Sequence, residues 1–139
     1  MQRFSIWTVR LLVVLALLAP ARAASAQGFV LVVNEAGPQA LAKDDVAKIF
    51  LKKSNLLVPV DQTKDSKARI AFSKAILGRP VSAIASYWQQ QIFSGGEAPP
   101  SEKGSDADVL AYVKANPKAI GYVSAGSELG AGVRAVAIP

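Results

Sequence analysis

The stretch VPVDQTKDSKARIAFSKAILG, Val58–Gly78, holds the residues best placed to do chemistry. An apolar run drops through a polar loop into a helical pattern, and the junction falls at Ser66. A helix starting there would present free N–H groups and the positive end of its dipole, an arrangement that favours an oxyanion. Ser66 could donate its hydroxyl, and Lys64, Lys67 and Arg69 would add positive charge. Asp61 and Asp65 oppose an anion and suit a cap or a turn instead. The residues alone leave two readings open, a plain N-cap at Ser66 or Asp65 and a weak oxyanion site.

Little else in the chain could react. The sequence contains no cysteine and no histidine, which removes disulfides, thiolates, the commonest metal ligand and the usual general base near neutral pH. Serines are plentiful, yet no ordinary triad can be built around them. Asp44, Asp45, Asp106 and Asp108 fall in the first turns of helical patterns, where they complement the dipole. The glycines of SGG and GGEAPP lack the lysine and spacing of a phosphate-cradling loop. The expectation is a protein that is not an enzyme and carries no cofactor or metal.

The opening MQRFSIWTVRLLVVLALLAPARAASAQ places Arg3 and Arg10 ahead of an apolar run, Leu11 to Leu18, followed by small residues. This is the pattern of a cleaved secretory leader, 1–26, with cleavage after Ala26 or alternatively after Ala23. The run is about half the roughly 20 residues needed to span a bilayer, and Pro20 and Arg22 follow at once. Losing Arg3, Arg10 and Arg22 leaves 13 of 16 basic residues against ten acidic ones, a net of +3. Without a Lys/Arg block, nucleic acid is not an expected partner. Residues 27–139 are expected to form one small domain with no membrane span.

The elements that must position the junction follow from periodicity. FVLVVN, Phe29 to Asn34, is continuously apolar, as expected of a strand covered on both faces. A short helix is expected from Lys43 to Leu51, with Val46, Ile49 and Phe50 on its inner stripe. LLVPV is a second strand, in which Pro59 suggests an edge position or an early break in pairing. The helix after Ser66 stops at Gly78, and VSAIASYWQQQIF is an amphipathic helix with Tyr87 and Trp88 expected in the core. SGGEAPPSEKG, Ser94 to Gly104, is expected to be loop. SDADVLAYVKANP starts with capping-box spacing and stops before Pro117, and AIGYV and VRAVAI are the last strands. The order indicates a single α/β domain.

Taken in order, VAKIFLKK, VPVDQTKDSKARIAFSKAILG, YWQQQIFSGGEAPP and VLAYVKANPKAIGYV resemble the small phosphate ABC transporter substrate-binding-like proteins of the periplasmic binding protein superfamily. The resemblance covers nearly all of residues 27–139. It implies one lobe of a type 2 binding-protein fold, a small mixed sheet flanked by helices, with the first of two lobes essentially missing. It also implies a periplasmic or secreted location. The family carries an Arg, then Ser-Gly-Thr at a helix start, then an Arg and a Phe. On this chain Ser66 and Arg69 match, Gln62 stands in place of the first arginine, and Lys67 and Ala68 replace Gly-Thr. The implied oxyanion ligands are Gln62, Ser66, Lys67 and Arg69, with phosphate or another oxyanion as partner. The alternative is an envelope interaction module that no longer binds solute and docks on a transporter component, another envelope protein or a second copy.

Overall fold

The computed structural model describes residues 27–139, so the expected leader lies outside the described residues. Strand β1, Phe29–Asn34, pairs antiparallel with β4, Ala119–Ser124, and with β5, Val133–Ala135. Its side chains alternate between two cores. Phe29, Leu31 and Val33 enter one, and Val30 and Val32 pack in or against the other. That division is why the run reads as continuously apolar.

Strand β2, Val58–Gln62, runs parallel to β4 and to β3, Ser101–Lys103. The five-stranded sheet has the order β3-β2-β4-β1-β5 and mixes parallel with antiparallel pairs. The SEK strand corrects the expectation of loop at that point. Its three residues carry no apolar pattern, and pairing with β2 makes them extended. Pro59 occupies a local edge. The Val58 N–H faces β4 through Lys118 O (2.8 Å), so the Pro59 nitrogen faces the other side, where β3 reaches only as far as Val60.

Helix α1, Lys43–Phe50, and helix α2, Lys67–Phe72, cover one face of the sheet. α2 widens into a π-helical segment, Ser73–Leu77, and Gly78 ends it in the left-handed region at φ 67°. Helix α3, Val81–Phe93, leads into the loop before β3. Helix α4, Asp106–Ala115, covers the opposite face through Val109 and Val113, and Ser105 caps it by accepting from the Asp108 N–H at 3.1 Å. Trp88 is buried, as expected. Tyr87 differs from expectation, being half-buried and lining an open groove on α3. Among the described residues, no helix is long and apolar enough to cross a membrane.

Gly121 sets how closely α4 approaches the sheet. A Cβ there would lie 2.7 Å from a Val109 methyl and 2.8 Å from a Val60 methyl, both β-branched and locked in the core. Gly121→Ala should therefore lower stability by about 1–3 kcal/mol, the range for overpacking. Urea unfolding checks this, and an unchanged midpoint would show that the two layers can separate at no cost.

Candidate functional site at the end of strand β2

Asp61 and Gln62 are the last two residues of β2, so their side chains leave on opposite faces of the sheet. On the α2 face, Asp61 Oδ1 accepts from the Tyr122 hydroxyl and from the Gln62 N–H, the latter at 3.1 Å. Arg69 Nε lies 3.5 Å from the same oxygen. Arg69 Nη1 donates to Gln62 O at 2.6 Å and to Glu102 Oε1 at 2.8 Å. The guanidinium thus ties α2 to β2 and β3.

On the α4 side, Gln62 Nε2 donates to Asp106 Oδ1 at 2.8 Å and to Tyr122 O at 2.9 Å. Gln62 Oε1 accepts from Ser66 Oγ at 2.7 Å. Ser66 Oγ in turn accepts from the Arg69 N–H at 3.2 Å, which makes Ser66 the N-cap of α2. Asp106 also accepts from the Ser124 N–H at 3.1 Å and the Ser127 hydroxyl at 3.3 Å. Glutamine suits this position because an amide both donates and accepts. The arginine that the resemblance implies there could not accept from Ser66.

Three of the four residues named from sequence, Gln62, Ser66 and Arg69, therefore meet in one network, while Lys67 is exposed and stands apart from it. Each of the three already has partners within the protein. The Ser66 hydroxyl hydrogen is given to Gln62, and Arg69 faces two carboxylates. Sequence reasoning missed Tyr122, Glu102 and Asp106 as members. Tyr122 sits inside an apolar strand, Glu102 in a segment read as loop, and Asp106 in a helix first turn that already explained its charge. No local signal marks any of them, because pairing of β2 with β3 and β4 brings them together.

Burial pushes the Asp61 carboxyl above its usual range, and the Arg69 charge and the Tyr122 and Gln62 hydrogen bonds only partly offset this. Burial pulls the Arg69 pKa down, but Asp61 and Glu102 outweigh it and raise the value, so the guanidinium stays charged. Burial, then the Asp61 charge, raises Tyr122 far above the usual phenol range, and it acts as a neutral donor. Burial would also raise Asp106, yet hydrogen bonds from Gln62, Ser124 and Ser127 win and hold it below 3.8.

A cavity of about 590 Å³ opens beside the network, walled by Trp88, Pro99 and Pro100 and by the charged residues Asp61, Glu102, Asp65, Lys64 and Arg69. Three carboxylates face two cations there. An entering oxyanion would meet a rim of slightly negative net charge.

No protein-family model matches the chain, and no curated protein matches it in sequence. Solved structures do match. An ABC-type phosphate transport receptor from Vibrio cholerae aligns over 80% of this chain and 46% of its own, at 20% identity and a TM-score of 0.62. A protein from Clostridium perfringens described as a candidate phosphate ABC transporter substrate-binding protein, solved with bound phosphate, aligns over 80% and 44%, at 20% identity and a TM-score of 0.63. A protein described as a possible phosphate binding protein from Planctomyces limnophilus aligns over 81% and 41%, at 15% identity and a TM-score of 0.59. The chain shares its fold with part of each of these proteins. The chain spans less than half the length of each of these neighbours, and the α/β architecture implied by the sequence resemblance is the one observed. At this identity the likeness shows the fold.

The depressed Asp106 carboxyl has a testable consequence. A folded-state value below the unfolded 3.8 gives stability that is fully present above 3.8 and is lost as pH falls through the folded value. Asp61, shifted the other way, contributes with the opposite sign. Asp106→Asn keeps an acceptor for Gln62 but removes the charge. It should be less stable than the parent at pH 7, with the gap closing as pH falls below 3.8. Unfolding curves from neutral to acid pH check this, and a constant gap would contradict it.

Proposed function

We propose that the chain is an exported, non-enzymatic domain built as one lobe of the phosphate-receptor fold, in which the oxyanion junction has become a structural polar network. The domain acts by docking on a protein partner and does not grip phosphate on its own. The observation that carries this reading is the state of Arg69. It is buried, hydrogen-bonded to a main-chain carbonyl and paired with Asp61 and Glu102, so an anion would have to displace two carboxylates to reach it. The Ser66 hydroxyl is committed in the same way.

A second reading rests on the exposed Lys64 and Lys67 beside the start of α2. Gln62, Ser66, Lys67 and Arg69 would then form a residual oxyanion site. Water screens the exposed lysines strongly, which limits such a site to roughly millimolar affinity, about −4 kcal/mol.

Amide resonances of the purified native protein, followed during a phosphate titration, separate the two. With Arg69 and Ser66 committed internally, residues 62–69 should show no saturable shift up to phosphate on the order of tens of millimolar. Saturable shifts there with a Kd of about 10 mM or tighter would overturn the docking reading.

A further inference from the structure

Helix α3 is unusually bare. Within its own chain it packs mainly on the π-helical segment, and Ile84 and Trp88 are its buried residues. Ile92 is 58% exposed and Phe93 is 97% exposed. None of its 13 residues is charged, although the helix faces solvent along most of its length. An exposed helix normally carries charge on its outer side, and loss of charge with retention of aromatics is the signature of an interface core.

The same face carries a pattern. Ala83, Ser86, Gln90 and Phe93 follow one another on α3 at spacings of three, four and three and, with Arg79 just before the helix, line a single open groove. A period of 3.5 residues is the seam along which a second helix packs. The seam is graded, with Ala83 and Ser86 near its start and Gln90 and Phe93 near its end.

We propose that a second copy of this chain occupies the groove, the two α3 helices packing antiparallel. This names the partner for the docking reading above and rests on it. A two-fold axis crossing the helix at the level of Trp88 sets Phe93 of each copy against Ala83 of the other, and Gln90 against Ser86. Large meets small along the whole seam. Arg79 then reaches the far end of the other copy's helix, where the carbonyl end of the dipole is negative and Glu97 follows. A parallel pair would instead set Phe93 on Phe93 and Arg79 on Arg79. A charged foreign surface fits less well, since its charges would lose water against a stripe that offers no counter-charge. The helix is only about 20 Å long. It buries less than the roughly 800 Å² per partner of a standard interface, so the association is weak and depends on concentration.

Sedimentation of the native protein from roughly 1 μM to 1 mM tests this. The weight-average mass should climb towards twice the monomer. Phe93→Glu should weaken association by about tenfold or more without lowering the unfolding midpoint, because the ring is almost fully exposed. Adding Ala83→Lys should restore association, since the register brings the two positions together across the axis. A monomer throughout, a dimer that Phe93→Glu leaves intact, or a folded double variant with no recovery overturns the proposal. A monomer silent to phosphate sinks this inference and leaves the preceding reading standing. A seam-dependent dimer with saturable phosphate shifts at residues 62–69 does the reverse.

Discussion

The buried contact between Asp61 and Arg69, closed by the Tyr122 hydroxyl, constrains the rest of the structure. Two charges out of water are costly unless each finds geometry and hydrogen bonds to match. Here the matching groups come from four elements: Asp61 and the Gln62 carbonyl from β2, Arg69 from α2, Glu102 from β3 and Tyr122 from β4. Meeting the electrostatic demand of one pair therefore fixes the register of three strands and the angle of a helix. The aromatic core is fastened to the same point. Tyr122 stacks on Phe72 with centroids 4.2 Å apart and planes 9° from parallel, and Phe50 packs against both. One residue thus carries packing on its ring and polar bonding on its oxygen.

The same constraint decides what the junction can do. In a weak anion site, arginine and serine would be held ready with unpaired donors. In this chain Arg69 Nη1 donates to Glu102 and the Gln62 carbonyl, its Nε faces Asp61, and the Ser66 hydroxyl donates to the Gln62 amide oxygen. Gln62, where the resemblance implies an arginine, supplies the acceptor that Ser66 uses and the donor that Asp106 takes. The proposed docking surface lies elsewhere, on the charge-free α3, which contributes little to either main core.

Much of this was legible in the sequence wherever a local rule governs. The double-faced β1 follows from an unbroken apolar run, the Ser66 and Ser105 caps from residue type and spacing, and the stops at Gly78 and before Pro117 from backbone chemistry. The fold class followed from element order, and the resemblance in four segments pointed to the phosphate-receptor fold found in the solved neighbours. What escaped depends on distant partners. Ser101–Lys103 is a strand only because β2 presents an edge there. The π-helical widening after Phe72 is invisible in residue type. Of the candidate site, Ser66, Gln62 and Arg69 were located, but their occupation was not. Asp61 read as an opponent of an anion, and the structure shows it as the partner that holds Arg69.

A double-mutant cycle across that pair tests the account most directly. Unfolding free energies of Asp61→Ala, Arg69→Ala and the double variant would be compared with the parent. Arg69→Ala strands the buried Asp61 charge and should cost about 3–5 kcal/mol, whereas Asp61→Ala leaves Arg69 on Glu102 and the Gln62 carbonyl and should cost less. The double variant should then cost less than the two single losses added together, with a coupling of about 0.5–3 kcal/mol. An Arg69→Ala protein within about 0.5 kcal/mol of the parent, as for an ordinary surface residue, would contradict it and return Arg69 to the role of a free anion ligand.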